Sequence, residues 1–276
     1  MIYFFNEDLL MIIDFHTHAF PDSVAEKAIP KLSAIGGIEP YGNGTVSSML
    51  SRMDEWHIDR AVILNIATNA KQQTNVNNFA IEINSTSDRL YALGSLNPDS
   101  DNIAAEARRL ADAGIRGVKI HPDYMGYTID SEKFDAVYAA CDENGLFVVT
   151  HSGWDFISPD FIHCTPEGIA KVMAKFPSLR LVAAHMGAYQ QWDEVERLLI
   201  GKNVWLETSL APLYGMDKVQ CARMLKNHDP EKLLFGSDFP WYSMALEREY
   251  VDSLDIGEEL RNKIYFENAI ALLGDK

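Results

Sequence analysis

The sequence predicts a single α/β domain folded as a (β/α)8 barrel, and three observations lead to this prediction. First, the chain has 276 residues, of which 47% are hydrophobic, and this length is typical of a one-domain barrel. Second, eight short apolar runs alternate with longer amphipathic stretches. Third, polar residues collect at the ends of these runs, and five of the eight histidines close a run. Functional residues of parallel barrels collect at the carboxyl ends of the strands.

Each apolar run is predicted to be a strand. Several are continuous in Val, Ile and Leu rather than alternating, as expected of parallel strands that are covered on both faces. The predicted strands are 11–15, 61–66, 91–96, 117–120, 146–150, 179–184, 204–208 and 233–236.

The stretches between the strands are predicted to be helices. The stretch 101–113 carries apolar residues at helical spacing and is followed by Gly114, and 130–144 shows the same pattern before Gly145. Thr165 precedes a proline, which indicates a helix start. Strict alternation of strand and helix favours right-handed crossovers and a closed barrel. The alternative is an open doubly wound sheet, but that fold normally has a glycine-rich phosphate loop where this chain has His-Thr-His.

Two segments depart from the alternation. The connection 19–59 is long and contains the Gly/Pro-rich piece 36–44, so we expect it to form a lid or a substrate wall. Residues 1–10 lack the basic start of a signal peptide, and we expect them to be a dispensable leader before a barrel of residues 11–276.

Composition narrows the functional classes. The chain has 24 basic and 40 acidic residues, a net charge of −16, so we expect it to bind neither nucleic acid nor an anionic membrane. Three well-separated cysteines and no CxxC pair indicate a reducing, cytoplasmic environment. No apolar run approaches the roughly 20 residues of a membrane helix. We expect a small-molecule substrate, and the sequence leaves a homo-oligomer open.

Residues suited to catalysis or metal binding end five of the predicted strands. They are His16 and His18 on the first strand, Lys119 and His121 on the fourth, His151 on the fifth, His185 on the sixth and Asp238 on the eighth. Three histidines and a carboxylate from strands one, five and eight suit Zn²⁺ or a similar divalent ion.

Each residue also has an ordinary structural interpretation. Lys119 could pair with Glu207 or Asp238, and Asp238 could cap the segment that follows it. Three further histidines lie in predicted helices or loops and are interpreted as structural: His57, His163 and His228.

Six motifs, in order, resemble the amidohydrolase superfamily, and specifically its amidohydrolase-related branch of metal-dependent TIM-barrel hydrolases and decarboxylases. They occupy residues 13–18, 117–122, 149–151, 184–187, 203–209 and 234–240, and the resemblance extends from Met11 to about Leu273.

The resemblance implies a ligand set and roles for its neighbours. The implied metal ligands are His16, His18, His151 and Asp238. Asp238 would also be catalytic together with His185, which would shuttle a proton or polarise a carbonyl. Lys119 matches a carboxylated lysine that bridges two metals in binuclear relatives. We expect a single ion, with zinc preferred over manganese or iron.

Two reactions are consistent with this resemblance. The first is hydrolysis of a lactone, an amide or a related bond by a metal-activated water. The alternative is non-oxidative decarboxylation of an aromatic or unsaturated acid, with Trp154 stacking on the ring and Lys119 or His121 pairing with the carboxylate. A non-catalytic metal-binding barrel is a third hypothesis, but no expected ligand is missing. We also expect Glu207 to face the barrel or a metal-binding histidine, and loop 153–163 to form a specificity wall.

Overall fold

Eight parallel strands form the centre of the fold in the computed structural model, which describes residues 11–274. The expected leader, residues 1–10, lies outside the described residues. The strands are β1 (Ile13–Thr17), β2 (Arg60–Leu64), β3 (Leu90–Leu93), β4 (Gly117–Ile120), β5 (Phe147–Thr150), β6 (Leu181–Ala183), β7 (Trp205–Glu207) and β8 (Leu233–Leu234).

Twelve α-helices surround the described strands or connect them. They are α1 (Asp22–Gly36), α2 (Val46–Trp56), α3 (Gln73–Thr86), α4 (Ile103–Asp112), α5 (Pro122–Met125), α6 (Asp135–Glu143), α7 (Pro166–Lys175), α8 (Trp192–Leu198), α9 (Lys218–Asn227), α10 (Met244–Asp252), α11 (Glu258–Asn262) and α12 (Asn268–Leu273). A π-helical turn, Lys263–Glu267, joins α11 to α12.

The strands pair in parallel in the order β1-β2-β3 and β4-β5-β6-β7-β8. Backbone hydrogen bonds join these two sheets at both edges. Gly94 N–H donates to the carbonyl of Gly117 (3.1 Å) between β3 and β4, and Phe15 N–H donates to the carbonyl of Phe235 (2.7 Å) between β1 and the end of β8. The ring is thereby complete, and the predicted (β/α)8 barrel is confirmed.

Each predicted run overlaps an observed strand, and the helix boundaries predicted for 101–113 and 130–144 agree within a few residues. The Thr165 hydroxyl accepts a hydrogen bond from Gly168 N–H (3.1 Å) at the start of α7, as its sequence position predicts. The stretch 130–144 is divided, because Ser131 caps a 3-10 turn, Glu132–Phe134, before α6 begins.

Apolar side chains fill two layers. One cluster joins strand residues such as Phe15 and Phe147 to Leu272 and Leu273 of α12, and a larger cluster packs the surrounding helices against the strands. Among the described residues, no helix has the length and apolar character needed to cross a lipid bilayer.

Candidate active site and metal centre

All eight residues that the sequence proposes for the site line one cleft at the carboxyl ends of the strands. They are His16, His18, Lys119, His121, His151, Trp154, His185 and Asp238. The cleft is open to solvent on one side, and both polar and aromatic side chains line it. Phe20, Leu32 and Ile38 also line it, so the long connection after β1 forms part of the wall, as expected.

The inner group comprises His16, His18, His185 and Asp238. Asp238 Oδ1 lies 2.9 Å from His18 Nε2 and 3.3 Å from His16 Nε2. Donor atoms of His16, His185 and Asp238 all lie within 4.8 Å of one another. The structure therefore brings three of the four predicted ligands together, with His185 beside them.

Glu207 supports the inner group from the end of β7. Its Oε1 lies 2.8 Å from His16 Nδ1 and accepts a hydrogen bond from the backbone N–H of His185 (2.9 Å). Glu207 also accepts two hydrogen bonds from Ser209, at Oε2 from the backbone N–H (2.7 Å) and at Oε1 from the hydroxyl (2.8 Å). The buried carboxylate thus orients two of the histidines, and it faces His16 as expected.

A chain of hydrogen bonds links Glu207 to His151. Since the Ser209 hydroxyl donates to Glu207, it accepts from His185 Nδ1 (2.8 Å), which places the proton of neutral His185 on Nδ1. His185 Nε2 then carries a lone pair, and it lies 3.0 Å from His151 Nδ1. Nδ1 is therefore the ring nitrogen of His151 that faces the inner group, whereas its Nε2 lies 3.5 Å from Asp155 Oδ2.

Burial shifts the pKa values of several groups in the cleft. Desolvation lowers the pKa of His16 and His185 well below the usual value and lowers that of His151 to about 3. It also lowers the pKa of the Lys119 ammonium to about 8, and Lys119 Nζ lies 3.5 Å from His16 Nε2. Neutral imidazoles supply the lone pairs that a divalent ion requires.

The outer group comprises His121, His151 and Asp155. Asp155 Oδ2 lies 3.5 Å from His121 Nε2 and 3.5 Å from His151 Nε2. The two imidazole rings are nearly parallel, with centroids 4.2 Å apart and an angle of 6° between planes. His121 thus lies beside the predicted ligand His151, and Lys119 lies beside His16.

Sequence reasoning missed three polar residues of the site: Asp155, Ser209 and Asp123. Asp155 was expected only as part of a wall, although it follows His151 by four residues and could have been paired with it on that ground. Asp123 accepts a hydrogen bond at Oδ1 from the Ser158 hydroxyl and lies 3.0 Å from His163 Nδ1. No simple signal in the sequence points to Ser209 or Asp123 as partners of these histidines.

The backbone is left-handed at two of the site residues, His185 (φ 59°) and Asp238 (φ 68°). Non-glycine residues rarely adopt this region, and such conformations cluster at functional sites. Asp238 is held by its N–H, which donates to the carbonyl of His16 (2.7 Å). The register of β1 also shifts between Asp14 and Thr17, an irregularity of the kind that redirects side chains at the ends of strands.

Aromatic side chains form much of the cleft wall. Tyr189 stacks on Tyr214 with ring centroids 3.7 Å apart, and Trp154 lies edge-on to Tyr189 at 5.9 Å. The loops that carry Trp154 and Tyr189 approach each other closely at Gly153. A side-chain Cβ at this position would lie 2.1 Å from the backbone nitrogen of Tyr189. Loop 153–163 therefore borders the cleft, as expected.

Comparison with models of protein families assigns this chain to a family. The model described as Amidohydrolase (Amidohydro_2) matches residues 13–274. The chain belongs to the amidohydrolase-2 family. A search of curated proteins returns no match.

Solved structures similar to this amidohydrolase include proteins of known and unknown activity. An uncharacterised TIM-barrel protein from Bordetella bronchiseptica has a TM-score of 0.74 at 20% identity, covering 96% of this chain and 99% of its own. A 2,6-dihydroxybenzoate decarboxylase with bound 2,6-dihydroxybenzoate has a TM-score of 0.71 at 15% identity, covering 96% and 99%. A 5-carboxyvanillate decarboxylase from Novosphingobium aromaticivorans with bound manganese has a TM-score of 0.70 at 15% identity, covering 97% and 98%. At these identities the similarity shows the fold alone.

The donor set of this amidohydrolase fits a divalent metal ion. Neutral imidazoles of His16 and His185 and the carboxylate of Asp238 converge in the inner group, with donor atoms within 4.8 Å of one another. The remaining histidines, His57, His163 and His228, are not among the residues that line the cleft. His228, for example, accepts a hydrogen bond from Gly201 N–H (3.1 Å) and donates to the carbonyl of Val204 (2.8 Å).

Proposed function

We propose that this amidohydrolase is a metal-dependent hydrolase of a small uncharged carbonyl compound, such as a lactone or an amide. The observation that carries the proposal is the charge of the cleft. Apart from histidines, its described lining has one cationic residue, Lys119, together with the carboxyl groups of Asp155 and Asp238. Lys119 is buried at the base of the cleft. Such a lining suits a neutral carbonyl substrate better than an acid with several carboxylates.

We propose that His16, His18, His151 and Asp238 hold one divalent ion, with zinc preferred over manganese or iron. An ion at this position supplies Lewis-acid polarisation and makes water more acidic. His16 is oriented by Glu207, and His18 by a hydrogen bond between its Nδ1 and the carbonyl of Leu64 (2.9 Å). These contacts orient both rings for this role.

Two residues would move protons during hydrolysis. Asp238 accepts a proton from the attacking water and returns it to the leaving group. His185 holds its own proton on Nδ1 toward Ser209, so its Nε2 faces the cleft as an acceptor. This tautomer supports a proton-shuttling role for His185 over polarisation of the substrate carbonyl.

Decarboxylation of an aromatic acid is the second candidate, and the aromatic wall favours it. A flat ring could stack near Trp154, Tyr189 and Tyr214, with its carboxylate toward Lys119 or His121. Two of the similar structures reported above are decarboxylases of substituted benzoates by name.

One assay on the protein loaded with zinc or manganese separates the two reactions. Panels of lactones, amides and hydroxybenzoates are incubated with the enzyme, and proton release from the lactones, amine release from the amides and CO₂ release from the benzoates are measured in parallel. We expect turnover of a lactone or an amide without CO₂. Release of CO₂ from a benzoate, with no hydrolysis in either of the other panels, would replace the proposal by the second candidate.

Two variants test the assigned roles in that assay. Asp238→Asn should abolish turnover, because both a ligand and the proton acceptor are lost. His185→Ala should lower turnover about 10²- to 10⁴-fold while the bound metal is largely retained.

We also propose a cytoplasmic location, which the three buried, unpaired cysteines support.

A further inference from the structure

We propose that Phe156 limits the size of the substrate by spanning the cleft to Gly36, and that a small apolar group of the substrate, a single ring or a short alkyl chain, lies beneath it. The proposal rests on the proposed function, because it specifies the part of the carbonyl compound that is remote from the reacting bond. It makes Phe156 a specificity-determining residue within loop 153–163.

Phe156 and Gly36 approach each other from opposite sides of the barrel. Gly36 is the last residue of α1, in the connection after β1, and Phe156 lies in the loop after β5. In a closed ring of eight strands, β1 and β5 are four strands apart in both directions and therefore face each other. A Cβ at Gly36 would lie 3.3 Å from Cε1 of Phe156 and 3.4 Å from Cζ. The contact thus spans the space above the carboxyl ends of the strands.

The turn that carries Phe156 is fixed by hydrogen bonds on both sides of the ring. Asp155 Oδ1 accepts a hydrogen bond from Ile157 N–H (2.8 Å), and the Asp155 carbonyl accepts one from Ser158 N–H (3.2 Å). The Ser158 hydroxyl donates to Asp123 Oδ1, which belongs to the segment after β4. Since Asp155 and Asp123 are both buried, we infer that the ring is held at a fixed height above the site.

The part of the cleft next to Phe156 is apolar and uncharged. We call this part the upper cleft, and its lining comes from the connection 19–59 and from the loops after β5, β6 and β7. All of its members are half-buried and none carries a charge: Phe20, Leu32, Ile38, Phe156, Tyr189 and Tyr214. Partly exposed apolar side chains in a cleft are stabilised when a ligand removes them from water. The upper cleft therefore favours an apolar group in the substrate.

The ring of Phe156 has no room to retreat from a larger substrate. On the side of α1 it lies against the backbone of Gly36, where even one additional carbon atom would be at a tight contact distance of 3.3 Å. A group that extends past the space beneath Phe156 must therefore displace the turn 155–158. We expect substrates with one ring to be accepted and those with a second, linearly attached ring to be rejected.

Binding of two ketones tests the proposal without turnover. Acetophenone and 4-acetylbiphenyl both carry a carbonyl group but no bond that can be hydrolysed, and they differ by one ring. Their dissociation constants for the zinc-loaded full chain are measured by ligand-observed NMR. We expect the wild type to bind acetophenone at least about tenfold more tightly than 4-acetylbiphenyl. Phe156→Ala should remove this preference, because it provides space for the second ring.

Two matched controls isolate the contact. Phe161→Ala removes an exposed phenylalanine of the same loop that does not line the cleft, and it should keep the preference of the wild type. Gly36→Ala places a methyl group against Phe156 and should weaken the binding of acetophenone. Gly37→Ala should leave this binding unchanged, because its Cβ would meet no atom within 4 Å. Circular dichroism confirms that each variant is folded.

The results distinguish failure of this proposal from failure of the proposed function. The same preference in the wild type and in Phe156→Ala would overturn the size limit, and so would its loss in Phe161→Ala. Tighter binding of benzoate than of acetophenone would refute the uncharged substrate of the proposed function. The size limit is then decided by benzoate against biphenyl-4-carboxylate in the same variants. No binding of acetophenone or benzoate to the wild type would overturn the apolar subsite.

Discussion

The inner and outer groups contain similar residues but are held in different ways. In the inner group, Glu207 and Ser209 provide hydrogen bonds that fix His16 and His185. Three buried polar atoms among the described residues have no hydrogen-bond partner: His121 Nδ1 and His151 Nε2 of the outer group and Oδ2 of the neighbouring Asp123. The inner group is thus held by hydrogen bonds of the protein, whereas the outer group has fewer of them.

Of the variants considered, removal of the Glu207 side chain should have the largest effect on the stability of the inner group. Glu207→Ala leaves the N–H groups of His185 and Ser209 buried without an acceptor, and we expect a loss of about 3–5 kcal/mol in the free energy of unfolding. Urea denaturation measures this loss in the free energy of unfolding. Glu231→Ala removes an exposed partner of Lys263 and should cost at most about 1 kcal/mol. Equal losses in the two variants would show that Glu207 does not support the inner group.

A smaller change can disturb the inner group while leaving the outer group unaltered. In Gly236→Ala, the new Cβ would lie 2.5 Å from Glu207 Oε2 and 2.8 Å from His16 Cβ. We expect a loss of stability of about 1–3 kcal/mol and weaker binding of zinc. Urea denaturation measures the stability, and calorimetric titration measures the zinc affinity.

Gly145→Ala serves as the control for that variant. Its Cβ would meet no atom within 4 Å, and its cost arises from a left-handed backbone (φ 65°). This control should lower stability without changing the zinc affinity. If zinc affinity fell equally in both variants, contact with Glu207 would not be the cause.

The smallest effect on stability is expected at His228. Both of its ring nitrogens have hydrogen-bond partners, so it serves as a reference histidine. Burial lowers its pKa, so below about pH 6.5 the unfolded chain binds a proton that the folded chain does not. The contribution of His228 to stability should therefore fall as the pH decreases from 6.5, by at most about 1.4 kcal/mol per pH unit, in addition to the contributions of the buried cleft histidines.

Replacement of His228 by glutamine should flatten this dependence, measured by thermal unfolding between pH 5 and 7. The exposed histidine His57, changed to asparagine, is the control and should leave the slope as in the wild type. A slope unchanged in His228→Gln would assign the acid sensitivity to other groups.

The strands and the convergence of histidines were predictable because they depend on local patterns. Buried parallel strands require continuous apolar runs, and parallel topology brings their carboxyl ends together, so His16, His151 and His185 could be expected in one cleft. Asp155 could be paired with His151 from their spacing of four residues but not with His121, because a loop residue takes its position from distant contacts. The tautomer of His185 depends on Ser209 and Glu207, which lie more than 20 residues further along the sequence.

Gly153 has a consequence for how this protein can change during evolution. Gly153 N–H donates to the carbonyl of Cys164 (2.8 Å), Tyr189 N–H to that of Ser152 (3.0 Å), and Trp154 N–H to that of Tyr189 (3.1 Å). The loops after β5 and β6 are therefore tied together beside the cleft. An insertion in either loop would displace both Trp154 and Tyr189, so substrate preference on this side should diverge by exchange of side chains, whereas the connection after β1 is freer to change in length.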